Sequence, residues 1–147
     1  MGTGQNGRLS AHFLRSEFAC PCCGRADAAQ ELIDGLETLR RRAGNVPIRV
    51  TSGYRCPEHN RQIGGARNSY HTQGLAADVV ISGQDVLGMY RLACEVPAFF
   101  HGGIGLYSNG FVHLDVRGHW ARWGRIEGKY CSLKDALFWL DAAPGSL

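Results

Sequence analysis

Hydrophobic side chains recur at helical spacing in the first third of the chain. An apolar stripe through Leu32, Leu36 and Leu39 predicts a first helix, with Asp27 as its N-cap and Gly44 as its stop. One face of this helix is apolar and the other is charged. We therefore expect it to cover a sheet.

Two more helices are predicted further along the chain by capping patterns. Ser82-x-x-Asp85 opens a helix that ends at Pro97, and Ser132-x-x-Asp135 opens an amphipathic closing helix. Each cap stands directly before an apolar periodic run. The sequence therefore places one helix in the middle of the chain and one at its end.

Short apolar runs bounded by turn residues predict four strands. Residues 46–52 and 74–82 form the first two, and residues 102–107 and 110–117 form the others. Asn109-Gly110 lies between the last two, and this dipeptide is typical of a tight hairpin turn. We therefore expect an antiparallel hairpin there.

These elements together indicate an α+β fold, with a small antiparallel sheet and flanking helices. Between the first two strands, glycines and polar residues predict a loop with one helical turn after Pro57. A length of 147 residues suits one domain, so we assign residues 1–147 to a single domain. Residues 1–12 are expected to form a flexible N-terminal arm.

Composition and charge exclude several classes of protein. Hydrophobic residues at 44% and charged residues at 20% are ordinary for a soluble globular protein. No apolar run reaches the roughly 18 residues of a membrane helix, and residues 1–12 lack the apolar core of a secretory signal. We therefore expect synthesis in the cytoplasm without a signal peptide, and no stable membrane insertion. A formal charge of +3 is too small to indicate nucleic-acid binding. We expect the protein to be a monomer.

The chain carries six cysteines, at positions 20, 22, 23, 56, 94 and 131. The segment CPCCG, residues 20–24, resembles half of a zinc knuckle. A structural zinc there would have to recruit Cys56 or a histidine from a distant part of the chain, and we favour reduced thiols over such a second metal. A disulfide from Cys20 or Cys22 to Cys56 is the alternative in an oxidising compartment.

Three side chains form a candidate catalytic metal site. His71 and Asp78 stand at the two ends of a run of small and neutral residues. In the last predicted strand, alternation places His113 and Asp115 on one face and the valine and leucine positions on the other. His71, Asp78 and His113 would supply two nitrogens and one oxygen and leave a fourth position to water, which is the arrangement of a catalytic zinc.

The segment SGYRCPEHNRQIGGARNSYHTQGLAAD, residues 52–78, precedes GGIGLY and GFVHLDVR in this chain. Together these segments resemble the D-alanyl-D-alanine carboxypeptidase family of zinc peptidases, in particular its small phage and bacterial branch that cleaves peptidoglycan peptides. The resemblance extends from residue 13 to residue 123. It implies the fold shared by these peptidases and hedgehog signalling domains, with Zn²⁺ held by His71, Asp78 and His113.

The resemblance also implies roles for residues around the metal. Arg55 would hold a substrate carboxylate or polarise the scissile carbonyl, and Ser69 would lie in the loop that shapes the site. Tyr54 would either contact substrate in the cleft or cover the sheet edge. A wall peptide that ends in a D-amino acid offers Arg55 a carboxylate, whereas an internal crosslink offers a carbonyl. Both a carboxypeptidase and an endopeptidase therefore stay open.

The sequence leaves the identity of the general base open. Related branches place a histidine two residues before the last ligand or an acid three before it, and here these positions are Phe111 and Gly110. Asp115 is then either the base or the partner that orients His113. His101 and His119 are reserve candidates for the base.

The sequence therefore predicts a zinc metallopeptidase that hydrolyses peptidoglycan stem peptides or crosslinks. We expect an endolysin-like role, in which the enzyme reaches the cell wall after phage- or holin-mediated release. Two alternatives stay open: a cell-wall-binding module that keeps zinc without turnover, and a component of a phage tail. The missing base at Phe111 and Gly110 keeps both alternatives in place.

Overall fold

The computed structural model describes residues 7–142 of the chain. Its centre is one six-stranded sheet with the strand order β1-β2-β4-β3-β5-β6. The strands are β1 Ile48–Ser52, β2 Ala76–Ile81, β3 Gly103–Tyr107, β4 Phe111–Asp115, β5 Ala121–Ile126 and β6 Lys129–Cys131. Neighbouring strands run antiparallel, except that β3 and β5 pair in parallel.

Five helices accompany the sheet within the described residues. They are α1 Gln30–Arg42, α2 Pro57–Gln62, α3 Val86–Cys94, α4 Pro97–Phe100 and α5 Leu133–Ala142. Two 3₁₀ turns, Arg15–Phe18 and Tyr70–Gln73, complete the elements. This arrangement confirms the α+β class. Within residues 7–142, no helix combines the length and the apolar character that crossing a bilayer requires.

The two faces of the sheet differ in chemistry, as alternation in β4 predicts. Val112 and Leu114 point into the hydrophobic core and are fully buried, together with Leu36 and Leu39 of α1. The remaining β4 side chains point to the opposite face, where Phe111 and His113 line a cavity. One face of the sheet therefore packs the core, and the other carries polar chemistry.

The structure corrects two predicted helix caps and confirms a third. Asp27 caps no helix: it pairs with Arg25 at 2.6 Å, and α1 begins only after Ala29. For α3, Asp85 is the N-cap in place of Ser82, because its carboxylate accepts the Gly88 N–H at 2.8 Å. The Ser132 cap of α5 is confirmed by a hydrogen bond of 3.1 Å from the Asp135 N–H to its hydroxyl.

Strands β5 and β6 were not predicted. Along β5 only Gly124 is buried, and the residues around it are half-exposed on both faces. A strand of this kind shows no alternation of apolar and polar residues, which is the signal that sequence analysis depends on.

The predicted N-terminal arm is only partly covered by the structure. Residues 1–6 lie outside the described residues. Further along, Arg8 forms a β-bridge with Leu14, and the backbone N–H of His12 donates to the Glu37 carboxylate of α1 at 2.8 Å. The described end of this arm is therefore held against α1.

The corrected cap of α3 leads to a stability prediction. Asp85→Ala should lower the free energy of unfolding by about 1 kcal/mol, because the Gly88 N–H loses its side-chain acceptor. Ser82→Ala serves as the control and should change it much less. Chemical denaturation of both variants measures the difference, and an equal or larger loss for Ser82→Ala would contradict the assignment.

Candidate metal centre and active site

A row of paired residues crosses the sheet on its polar face. Ser52 of β1 pairs with Asp78 of β2, and Asp78 pairs in turn with His113 of β4. The same row continues through Gly105 of β3 to Trp123 of β5. Residues paired in this way project their side chains from the same face of a sheet. The backbone pairing thus brings a carboxylate, an imidazole and an indole side by side.

Gly105 leaves room for the indole in this row. A Cβ atom at position 105 would lie 2.6 Å from Cε2 of Trp123, closer than real Cβ contacts allow. Without that atom, the Trp123 ring lies with its centroid 5.0 Å from that of His113. The indole therefore forms a wall directly beside the candidate metal ligand.

His71 reaches this row from the 3₁₀ turn Tyr70–Gln73. Ser69 caps the turn, and its hydroxyl accepts the His71 backbone N–H at 3.2 Å. The ring nitrogen Nδ1 lies 2.7 Å from the carbonyl oxygen of Gly53, so it carries the proton and donates it. Nε2 is then left as a lone-pair donor that faces Asp78.

Three acceptor atoms converge between these side chains. His71 Nε2 and His113 Nδ1 each lie 3.1 Å from Oδ1 of Asp78, and the three atoms all lie within 4.8 Å of one another. The outer nitrogen of His113, Nε2, lies 2.7 Å from the Asp115 carboxylate and is thereby fixed as a donor. Two neutral imidazoles and a carboxylate would therefore direct lone pairs at one point, which suits a divalent cation.

The electrostatics of the centre are consistent with a cation site. Burial raises the pKa of Asp78, but His71 and His113 outweigh burial and hold it well below its usual range. Burial lowers the pKa of His113, yet Asp115 and Asp78 raise it above its ordinary value. The site thus holds an ionised carboxylate and draws positive charge to itself. A proton on His113 and a metal ion would compete for it, so metal affinity is expected to fall in acid.

Asp115 is the orienting partner of His113 in this geometry. It is fully buried, and its two oxygens accept hydrogen bonds from His113, from the Gly103 N–H at 2.9 Å and from Arg117. Burial raises the pKa of Asp115, but His113 and Arg117 lower it well below the usual range. A carboxylate with its lone pairs engaged and a lowered pKa is a poor proton acceptor. The structure therefore favours the orienting role over the general-base role.

Arg117 belongs to the site although the sequence analysis gave it no role. Its Nε and Nη2 atoms grip the Asp115 carboxylate at 2.9 and 2.8 Å. Its guanidinium also lies over the Tyr70 ring at 4.4 Å and the Trp123 ring at 5.2 Å. Alternation beyond Asp115 would have pointed to this residue, since residues two apart in a strand share a face.

Arg55 and Ser69, which the sequence analysis proposed as substrate-binding residues, both line the wall of the cavity. Arg55 donates to Ser52 at 3.2 Å and to Asn60 at 2.9 Å, and its Nη2 lies 3.5 Å from Oδ2 of Asp78. Tyr54 does not join them. It is 4% exposed, lies beneath the Arg25 guanidinium and is absent from the cavity wall, so this arrangement does not favour its predicted substrate contact.

The ligand atoms open into a cavity of about 520 Å³. Its cationic and aromatic wall consists of Arg55, Arg117, Arg125, Tyr70, Tyr107, Phe111, Trp123 and Tyr130. Burial raises the pKa of Tyr107 to about 12, so this phenol stays protonated at neutral pH. Among residues 7–142, the lining contains no imidazole or carboxylate beyond His71, Asp78 and His113, and the reserve candidates His101 and His119 are exposed elsewhere.

Residues 11–115, which include the three converging side chains, are similar in sequence to known peptidases. The model of the peptidase M15 family matches residues 11–115, a stretch that contains all three converging side chains. The peptidoglycan L,D-endopeptidase MepK of Escherichia coli (strain K12) is 35% identical over 98 residues, which cover 60% of this chain and 52% of that protein. The zinc D-Ala-D-Ala carboxypeptidase of Streptomyces albus G is 36% identical over 58 residues, 40% of this chain and 23% of that protein. The chain thus spans about half the length of MepK.

The contacts of Asp115 predict the effect of replacing it. Asp115→Asn should weaken zinc binding about 10- to 100-fold, because the amide removes the anionic partner that orients His113. Competition with a chromophoric chelator measures the affinity. Asp34→Asn, on the exposed face of α1, is the matched control and should bind zinc as the unchanged protein does. Unchanged affinity in Asp115→Asn together with lost turnover would instead identify Asp115 as the base.

Proposed function

The chain belongs to the peptidase M15 family, and from this premise we propose that it is a zinc-dependent peptidase that hydrolyses peptidoglycan stem peptides or crosslinks. Membership confirms the family resemblance found in the sequence. The observation that carries the proposal is the convergence of His71 Nε2, Asp78 Oδ1 and His113 Nδ1 at the floor of a cavity. The names of the relatives, a peptidoglycan endopeptidase and a D-Ala-D-Ala carboxypeptidase, support the substrate class.

The donor set fits zinc. Two imidazole nitrogens and one carboxylate oxygen are a common protein contribution to a catalytic zinc, whose remaining position is open to water or substrate. Bound there, the ion lowers the pKa of a coordinated water from about 15.7 to about 7 and makes a nucleophile available at neutral pH. The residues around it hold the ligands in place: Gly53 fixes His71, and Asp115 fixes His113.

Arg55 is proposed as the residue that binds the anionic or developing negative charge of the substrate. It is only partly neutralised, since its Nη2 lies 3.5 Å from Asp78 while Ser52 and Asn60 position the rest of its guanidinium. Arg117 is committed to Asp115, so it contributes less free positive charge to the cavity. A planar guanidinium can grip a carboxylate through two parallel hydrogen bonds. This suits the carboxylates of wall peptides, and a scissile carbonyl fits the same position.

We place this activity at the cell wall. The proposed setting is endolysin-like: a monomer made in the cytoplasm during phage infection and released to the wall by a holin. Peptidoglycan is the partner in this setting. The relatives named for peptidoglycan support the site of action, and the phage setting goes beyond them as a hypothesis from the sequence resemblance.

A second candidate function rests on a specific feature of the cavity. Its lining, within the described residues, offers no side chain to accept a proton apart from the three proposed ligands. Phe111 occupies the position two before the last ligand, and Gly110 the position three before it. A protein that keeps the ion and binds wall peptides without cutting them, as a binding module or tail component, is consistent with this.

Turnover of purified muropeptides distinguishes the two functions. We expect hydrolysis that stops when a chelator removes the metal and resumes when zinc is restored, because the nucleophile depends on the ion. Mass spectrometry of the products shows whether a terminal D-amino acid is released or a crosslink is opened. Hydrolysis that persists in chelator would contradict a metallopeptidase. A zinc-loaded protein that binds the peptides and leaves them intact would establish the second function.

The role of Arg55 can be measured separately. Arg55→Lys should lower kcat/KM about 10- to 100-fold, since an ammonium group cannot form the two parallel hydrogen bonds of a guanidinium. Zinc content should stay the same, because Arg55 is not among the proposed ligands. Arg49→Lys, on the exposed side of β1, is the control. Equal kcat/KM for Arg55→Lys and the unchanged enzyme would remove Arg55 from substrate binding.

A further inference from the structure

Three cysteines from two separate segments of the chain meet outside the cavity. The sulfur atoms of Cys20, Cys23 and Cys56 all lie within 4.8 Å of one another. Cys20 is 2% exposed, Cys56 is half-buried and Cys23 is exposed. None of the three lines the cavity that holds the candidate zinc. The group is therefore a second cluster of metal-ligating side chains, separate from the first.

A tight turn at residues 20–24 brings the Cys20 and Cys23 sulfur atoms close together. The Gly24 N–H donates to the Cys20 carbonyl at 2.8 Å, and Gly24 has a φ of +79°, which favours glycine. This tight turn brings Cys20 and Cys23, three residues apart, to one side of the chain. The spacing Cys-x-x-Cys-Gly in such a turn is the geometry with which zinc knuckles supply two ligands.

Cys56 joins the turn from the other segment. Its backbone N–H points at the Cys20 sulfur, with 3.4 Å between nitrogen and sulfur, and the Tyr54 N–H donates to the Phe18 carbonyl at 2.9 Å. Burial raises the pKa of Cys20, but the backbone N–H groups of Cys56, Cys23 and Cys22 lower it to about 7. Several donors thus aim at one sulfur, an arrangement that favours its thiolate form.

Cys22, next to Cys23 in the chain, is the candidate for a fourth ligand. Its thiol is exposed and is not part of the group of three that converge, and its side chain interacts chiefly with that of Cys56. Three converging thiols already exceed what a single disulfide would use. A tetrahedral zinc with four sulfur ligands at about 2.3 Å sets its sulfur atoms about 3.8 Å apart. The three central sulfurs need to draw together by only about 1 Å or less to reach that spacing.

We propose that Cys20, Cys22, Cys23 and Cys56 bind a structural Zn²⁺, distinct from the ion at His71, Asp78 and His113. Four thiolates complete the coordination of zinc and leave no position for substrate, so this ion stabilises the fold and takes no part in hydrolysis. Cys56, which follows Cys20 by 36 residues, supplies the one ligand that does not come from residues 20–24.

The position of this ion gives it a consequence for the active site. Cys56 directly follows Arg55, and Gly53, whose carbonyl fixes His71, lies three residues before Cys56. Anchoring Cys56 to the turn at residues 20–24 would hold residues 53–56 in place, including Arg55 and the Gly53 carbonyl that orients His71. Loss of the second ion should therefore loosen Arg55 and His71 together, although neither touches it.

The experiment is a count of metal ions in protein purified with reductant and zinc. We expect about two zinc ions per chain by elemental mass spectrometry. The Cys20→Ser/Cys56→Ser double variant should retain about one, and Cys22→Ser should also lose zinc from this site. His71→Ala/His113→Ala should lose the other ion and keep the one at the cysteines. Cys94→Ser/Cys131→Ser is the matched control and should keep both.

A measurement on the unchanged chain covers the case in which the cysteine variants fail to fold. Cys22 and Cys23 are exposed, so an alkylating reagent should modify them quickly in metal-free protein. With zinc bound, Cys22 and Cys23 should be protected and should become reactive again when a chelator removes the ion. Rapid alkylation of Cys22 and Cys23 in zinc-loaded protein, complete loss of zinc in His71→Ala/His113→Ala, or a Cys20 to Cys56 disulfide in place of the ion would overturn the proposal. Full zinc content in Cys22→Ser would overturn the part assigned to Cys22.

Discussion

The structure depends on the convergence of three buried atoms that each carry a lone pair and are able to donate it to a cation. The outer ring nitrogens of His71 and His113 donate their protons to the Gly53 carbonyl and the Asp115 carboxylate. In the neutral rings, the inner nitrogens therefore face the Asp78 carboxylate without a proton. Such a convergence is electrostatically unfavourable unless positive charge occupies it. The fold holds the three atoms together nevertheless. We therefore propose that a cation occupies this point, and the surrounding contacts then serve to hold its ligands in place.

That support comes from both ends of the sheet. Pairing across β2 and β4 places Asp78 beside His113, and the glycines at 103 and 105 leave space for the Asp115 carboxylate and the Trp123 indole. Gly53 also comes close to the Phe18 backbone: a Cβ atom on residue 53 would lie 2.5 Å from the Cα atom of Phe18. The proposed cysteine site anchors this same stretch of chain. Ligand geometry, the position of Arg55 and the N-terminal turn are in this view parts of one arrangement.

The three proposed ligands could be selected from the sequence because their signals are local. Alternation through residues 111–116 separates the core side chains from His113 and Asp115, and the structure keeps that separation. The same alternation carried past Asp115 points to Arg117, but it does not show that the guanidinium lies over the Tyr70 and Trp123 rings. It also misses strand β5, whose half-exposed residues show no alternation. The position of Tyr54 is also a property of the tertiary structure: its backbone N–H donates to the Phe18 carbonyl, and its side chain does not line the cavity. The sequence named Cys56 as one possible partner of Cys20, but only the tertiary structure brings the two together across 36 residues.

The most direct test of the central claim is a crystal structure of the zinc-loaded protein with anomalous scattering measured at the zinc edge. The account predicts an anomalous peak about 2.0–2.2 Å from His71 Nε2, Asp78 Oδ1 and His113 Nδ1, with a further ligand position open to the cavity. A map without a peak among these three atoms, or an ion there that binds through other side chains, would contradict it.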